Sequence, residues 1–396
     1  MQTDPLFTPL TLPCGVTLRN RLAKSAMSDS LGDGRGNPTQ TQIRLYERWA
    51  EGGLALSIIG EVQGDPSAAE KPGNLVLGPQ SDDALLRALA RAGGTNDARL
   101  FVQLGHAGAM SHPPIGKPKG PSALDLPGLK CDALSLAEIG ALPAQFAQTA
   151  KHARALGFGG VQIHAAHGFV LSQFLSPLFN KRTDAYGGSL HNRARLLFDV
   201  LDAVRATVGP DFPVAIKLNA TDQLVGGFAE TEALQVVEAL DRSPVDLIDI
   251  SGGTYFPGAR SASDGASAGP YFLEFAKTAK ARTAKPIMLT GGFKSAEQAV
   301  DAIQGGAADM IGLARAFVID PALPRTWRKA GAKLAFPRFT HPPEGAVTAW
   351  YTQQLTRLGQ DQMPDLSADA EAALAAYVAR DQGRVATWNA HFGDHS

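Results

Sequence analysis

Short apolar runs bounded by turn residues recur along the chain, and a stretch with helical periodicity follows each of them. The runs are Leu22–Met27, Leu54–Ile59, Leu100–Gln103, Gly160–His164, Val214–Leu218, Leu247–Ser251, Ile287–Thr290 and Met310–Leu313. The helical stretches lie near Thr39–Glu51, Asp82–Ala92, Ser135–Leu156, Asn192–Val208, Thr231–Leu240, Tyr271–Ala281, Ser295–Gln304 and, after the eighth run, Pro321–Lys329. Strands covered on both faces read as near-continuous apolar runs, and parallel neighbours need a crossover that a helix supplies. Eight strand–helix units in order therefore predict an α/β fold, a single (β/α)8 TIM barrel rather than an open doubly wound sheet. Ser295 is placed to cap its helix with Glu297 and Gln298 in the first turn, and Gly157 and Gly305 supply stops. The Pro/Gly-rich stretch His112–Gly128 predicts an irregular excursion over the barrel mouth. From Arg338 onward the pattern changes to a loop and two helices near Ala346–Leu358 and Ser367–Gln382, with Trp350 and Tyr351 in the first and Trp388 just beyond the second. Residues 1–335 are thus expected to form the barrel, and 336–396 a C-terminal helical extension packed on it or at a subunit interface.

Charge and composition narrow the function. Lys and Arg total 37 against 38 for Asp and Glu, so there is no basic excess to hold a nucleic-acid backbone or an anionic membrane surface. The two cysteines, Cys14 and Cys131, form no C-x-x-C pair, which argues against a disulfide framework and a zinc or iron–sulfur site. Met1–Leu12 lacks the basic start and apolar stretch of a signal peptide, and no run of about 18 apolar residues occurs. The expectation is a cytoplasmic enzyme acting on a small molecule, with no nucleic-acid or membrane partner.

In such a barrel the reactive groups come from the C-terminal strand ends. Gly291, Gly292 and Gly312 stand at the ends of the seventh and eighth strands, where barrels hold phosphate through backbone N–H groups, and Ala314 and Arg315 follow them. Gln103 and Lys217 end apolar runs that would bury them, so each needs a polar partner. A flavin edge of alternating carbonyl oxygens and ring nitrogens would supply one, and a buried ion pair is the other reading for Lys217. His164 and His167 bracket a two-residue turn at the end of the fourth strand. They read as paired donors to a substrate oxygen, as metal ligands with Glu61, or as loop scaffolding.

At these positions the chain resembles the old yellow enzyme family of NADH:flavin oxidoreductases. The likeness runs through Leu18-Arg19-Asn20-Arg21-Leu22 with Ala26-Met27, through Gln103-Leu104-Gly105-His106-Ala107-Gly108, and through Gly159–Gly168 on to Pro177. It continues through Arg182-Thr183-Asp184, Tyr186–Ser189 and Asn192-Arg193 to Thr290–Phe293 and Gly312–Arg315. The resemblance implies FMN as cofactor and NADH or NADPH as reductant. It implies hydride transfer from flavin N5 to an electron-poor alkene whose carbonyl or nitro oxygen is held by His164 and His167. Ala26, Met27, Ser28, Glu61, Gln103, Lys217, Gly253, Gly291, Gly292, Gly312, Ala314 and Arg315 would contact FMN, and the Arg182–Arg193 stretch would fix the loop after strand four. Relatives are often homo-oligomers.

Four positions depart from the family pattern. Phe169 stands where a tyrosine usually donates the α-proton, leaving Tyr255 or an ordered water for that task. Ser28 replaces a threonine or flavin-tuning cysteine, and Ser30 a substrate-binding tyrosine of some relatives; Ser30 and Phe169 would border the substrate pocket. Glu61 stands where a small residue is common. The loss of the tyrosine leaves a flavin dehydrogenase, isomerase or NADH oxidase as an alternative to an ene-reductase, and a flavin-free metal-dependent barrel is the alternative from another class.

Overall fold

The computed structural model describes residues 4–256, 269–329 and 334–393. Eight parallel strands close on themselves: β1 (Leu22–Met27), β2 (Leu56–Gln63), β3 (Arg99–Leu104), β4 (Gly160–Ala165), β5 (Val214–Asn219), β6 (Leu247–Ser251), β7 (Ile287–Thr290) and β8 (Met310–Leu313). Closure comes from the pairing of β8 with β1, Ile311 opposite Leu22, and of β1 with β2, Ala23 opposite Leu56. Ala23, Leu56, Ile58, Phe101, Ala215, Leu247, Met288 and Met310 fill the barrel interior. A short antiparallel hairpin, Leu10–Thr11 with Thr17–Leu18, adds Leu10, Leu12 and Leu18 to that cluster. Apolar side chains therefore pack this part of the interior, and the polar side chains of Gln103, Gln162, Lys217 and Asp249 lie further toward the C-terminal strand ends.

The helices are α1 (Gln40–Gly52), α2 (Asp83–Gly93), α3 (Leu136–Leu156), α4 (Val170–Leu175), α5 (Leu190–Val208), α6 (Glu230–Leu240), α7 (Leu273–Lys280), α8 (Ala296–Gln304), α9 (Arg315–Ile319), α10 (Leu323–Trp327), α11 (Ala346–Gly359) and α12 (Ala370–Phe392). Their ends follow the local chemistry. Ser135 and Glu138 form a reciprocal capping box on α3, which Gly157 ends in the left-handed conformation. Ser295 caps α8 by accepting from the Gln298 N–H.

Several boundaries differ from the sequence expectation. β2 runs on to Gln63 through a register shift after Ile59, because Glu61 adopts φ +62° and the strand bulges there instead of ending. The helix expected at Pro321–Lys329 is the shorter α10, and α9 precedes it. The His112–Gly128 excursion contributes to a small three-stranded sheet of Lys119–Gly120, Leu124–Leu126 and Leu129–Ala133. α12 is longer than expected and contains Trp388, which is fully buried against Ala69, Val76 and Ile115. α11 packs on α1, where Trp350 is buried and its indole N–H donates to the Ala368 carbonyl. Among the described residues no helix is long and apolar enough to cross a membrane.

Candidate active site

Buried polar groups gather at the C-terminal strand ends. The Gln103 amide donates to Gln162 Oε1 at 2.7 Å, and Gln162 Nε2 donates to Asp249 Oδ2 at 3.0 Å. Asp249 forms an ion pair with Lys217 and accepts from the Thr290 hydroxyl at 2.6 Å, while Lys217 donates to Ser25 Oγ at 3.0 Å. Lys217 and Asp249 are both essentially inaccessible to solvent. The buried ion pair considered for Lys217 is therefore present. Two of the three ammonium N–H bonds are used, which leaves one for a ligand. Gln162 and Asp249 were not anticipated as site residues. Their signal was a polar side chain inside an otherwise apolar buried strand.

His164 sits at the end of β4, fully buried, and neither ring nitrogen has a hydrogen-bond partner within the protein. Burial, reinforced by the Lys217 charge, pulls its pKa down to about 3, so the ring is neutral in ordinary buffers. His167 lies 5.3 Å away, centroid to centroid, with φ +60° in the turn after β4. That strained backbone is held by the Asn219 side chain, which accepts the His167 N–H, and by the His167 carbonyl, which accepts from Tyr255 N–H. The His167 ring bonds Ser251 Oγ through Nε2 at 2.9 Å, and burial holds its pKa well below the usual histidine value. Phe169 is buried with its ring 4.6 Å from that of His164. Tyr255 has its ring 5.8 Å from that of His167, and the residue is 63% exposed.

Glu61 is 6% exposed; Oε1 lies 3.5 Å from His164 Nε2 and Oε2 has no partner. Burial raises its pKa from 4.5 to about 8 against the opposing pull of Lys217. Between those two values the folded chain keeps a proton that the unfolded chain releases, so stability is lost as pH rises through this window. Glu61→Gln is expected to flatten that loss by on the order of 2–4 kcal/mol between pH 5 and pH 8. Urea midpoints of the two proteins at both pH values check this, and parallel slopes would refute it.

The remaining predicted positions converge on the same mouth. Ala26, Met27 and Ser28 end β1 half-buried. A Cβ on Gly60 would lie 2.5 Å from the Met27 carbonyl carbon, so glycine is what lets β2 approach that end. Asp29 accepts from Gln42 and Tyr46 and so fixes the loop that carries Ser28 and Ser30. Gly253 has φ +84° and its carbonyl accepts from the Asn219 amide. At β7, Gly292 has φ +86°, and a Cβ there would lie 2.4 Å from the Gly269 carbonyl oxygen. Gly312 is as tight against Thr290, and Ala314 precedes α9, which opens on Arg315. The Arg315 guanidinium stacks 5.1 Å above the Tyr351 ring and has no carboxylate partner among the described residues. The Arg182–Arg193 stretch is engaged with backbone instead: Arg182 donates to the carbonyls of Pro121 and Leu134, and Arg193 to that of Leu175.

This constellation fits a flavin nucleotide. An amide and an ammonium stand where a polar ring edge could lie, an unpaired guanidinium stands beside glycine-lined loops where a phosphate could lie, and an imidazole with two unpartnered nitrogens faces the same mouth. Among the described residues no three His, Cys, Asp or Glu side chains group so that they could hold a metal ion.

Comparison with known proteins agrees. The chain is 36% identical over 355 residues to an NADH-dependent flavin oxidoreductase of Neonectria sp., covering 80% of this chain and 46% of that protein. It is 35% identical over 353 residues to an NADH-dependent flavin oxidoreductase of Hypocrea jecorina, covering 80% of this chain and 87% of that protein. Among solved structures, the old yellow enzyme homologue from Zymomonas mobilis superimposes with a TM-score of 0.74 at 25% identity, covering 88% of this chain and 99% of that one. Residues 5–333 match the NADH:flavin oxidoreductase / NADH oxidase family, and the chain belongs to it: an oxidoreductase of the old yellow enzyme type that uses FMN with NADH or NADPH as reductant.

Proposed function

We propose that the chain reduces activated carbon–carbon double bonds in small electron-poor alkenes such as enones, maleimides and nitroalkenes. The observation that carries this reading is His164, a buried neutral imidazole with both nitrogens unpartnered and His167 beside it. FMN, when bound, supplies the hydride, accepted from the nicotinamide and passed from N5 to the β-carbon. His164 and His167 hold the carbonyl or nitro oxygen. As neutral donors fixed before the reaction, they stabilise negative charge developing on that oxygen. In the tautomer in which Ser251 Oγ donates to His167 Nε2, the other ring nitrogen carries the N–H for the substrate.

Around the ring, Ala26, Met27, Ser28, Glu61, Gln103, Lys217 and Gly253 would form the cradle, with the Lys217–Asp249 pair presenting one free N–H to it. Gly291, Gly292, Gly312, Ala314 and Arg315 would hold the phosphate, the guanidinium supplying charge. Ser30 and Phe169 border the substrate. Phe169 carries no exchangeable proton, so the α-carbon is protonated by Tyr255, which stands on the exposed side of His167. Tyr255→Phe is expected to slow alkene-dependent flavin reoxidation about 100-fold, at the low end of what general acids contribute. Unchanged rates together with unchanged solvent-deuterium placement at the α-carbon would eliminate this role.

The deciding experiment is anaerobic absorbance. Flavin bands should bleach with NADH or NADPH and return on addition of an alkene. Return with oxygen alone would replace this reading with an NADH oxidase, the second reading that Phe169 favours.

A further inference from the structure

We infer that Tyr351, on the first helix of the C-terminal extension, positions Arg315 for the FMN phosphate, so that the extension completes the cofactor site. The inference rests on the placement of the phosphate at Arg315, and its test separates the two.

Arg315 opens α9 directly after the loop that ends β8. An arginine side chain rotates about several bonds, and a ligand that must immobilise it loses affinity in doing so. Carboxylates often hold such a group in advance. Among the described residues the Arg315 guanidinium has neither a carboxylate nor a hydrogen-bond partner, and the contact that holds it is the Tyr351 ring, 5.1 Å away. The difference matters for an anion. A carboxylate would compete with the phosphate, whereas a ring face attracts the cation without accepting its N–H bonds and leaves all of them for the ligand.

The ring is itself fixed. Tyr351 is buried, with the Trp350 ring 4.9 Å away and the Phe339 ring 6.4 Å away, both edge-on. Trp350 is anchored in turn by burial and by its bond to the Ala368 carbonyl. Burial pushes the Tyr351 hydroxyl up, and the Arg315 charge acts against that shift, as a neighbouring cation must. The β7 loop reaches the same place: a Cβ on Gly291 would lie 3.2 Å from the Tyr271 ring, and Tyr271 is near enough to Tyr351 to add to the rise. α11 also packs on α9, the helix that Arg315 begins. The two strand-end loops and the extension therefore meet at one guanidinium, and that group depends on the extension for its orientation.

FMN and riboflavin differ by the phosphate alone, so comparing them isolates its contribution. In fluorescence titrations of the full-length apoprotein, Tyr351→Leu should weaken FMN about tenfold, within what a cation–π contact contributes, and leave riboflavin unchanged. Tyr351→Phe keeps the ring and should bind FMN as the parent protein does. Once Arg315→Ala is present, Tyr351→Leu should cost FMN nothing more, because a residue that acts through another has no effect without it. The linkage also runs in reverse: in the unsubstituted protein, hydrogen exchange in Ala346–Gly359 should slow more at saturation with FMN than with riboflavin. That measurement needs no variant, so a misfolded Tyr351→Leu protein does not decide the matter. Equal loss of both flavins in Tyr351→Leu, a Tyr351→Phe protein as weak as Tyr351→Leu, a loss that persists without Arg315, or equal protection by both flavins overturns the inference and leaves the extension as structural cover. If Arg315→Ala alone leaves FMN affinity unchanged, the phosphate lies elsewhere and both readings fall together.

Discussion

Replacing His164 with alanine is expected to lower kcat/KM for a maleimide or an enone by about 10²–10³, the usual consequence of removing one preorganised donor from a developing oxyanion. The two half-reactions should respond differently. Hydride arrival at an enone β-carbon moves negative charge onto the carbonyl oxygen, where His164 donates. Hydride departure from NADH creates a pyridinium and no oxyanion, so flavin reduction should change by about tenfold at most. Stopped-flow absorbance resolves both steps, and His164→Asn, which keeps a neutral donor, should recover part of the loss. Equal damage to both half-reactions would mean that His164 acts by shaping the pocket, not by holding the oxygen. Since its pKa is depressed to about 3, the clamp itself should contribute no titration between pH 5 and pH 9.

Lys217→Met should destabilise the protein by about 3–5 kcal/mol, because it leaves the Asp249 carboxylate buried without its cation. Thr290 and Gln162 would still donate to Asp249, but two neutral hydrogen bonds do not replace a charge. Adding Asp249→Asn to Lys217→Met should restore much of the loss, since the double variant buries no unpaired charge. Denaturant unfolding of the two single variants and the double one measures the coupling. A loss below about 1 kcal/mol in Lys217→Met would show that water reaches the pair.

The barrel was legible because its strands are short apolar runs with turn residues at both ends. Leu22–Met27, Leu247–Ser251, Ile287–Thr290 and Met310–Leu313 have the boundaries that pattern marks. β2 was cut short because Gly60 and Glu61 look like a turn; only the backbone reveals that the strand continues through a bulge. The end of α12 was lost for a similar reason. Gly383 suggests a stop, but nothing crowds it and helix continues on both sides, secured by Trp388 from below. The histidine pair and the glycine loops could be read from position alone, since strand ends in a barrel have one place to go. The Gln103–Gln162–Asp249–Lys217 chain could not, because it joins residues on four strands and its members are defined by their partners. The approach of Arg384 to the Ser30 carbonyl was further out of reach, linking positions 354 residues apart with no periodic signal between them.

That last separation has a consequence for how the molecule is made. Chains emerge from the ribosome beginning with the N-terminus, and early segments fold before later ones exist. All eight barrel strands precede residue 314, so the closed barrel and both glycine loops can form while α12 is still being synthesised. The loops that carry Ser30, Gly73 and Pro114 must then wait for Arg384, Trp388 and Asn389 before they are pinned. During that interval those loops lack the two hydrogen bonds and the buried indole that the final helix brings to them.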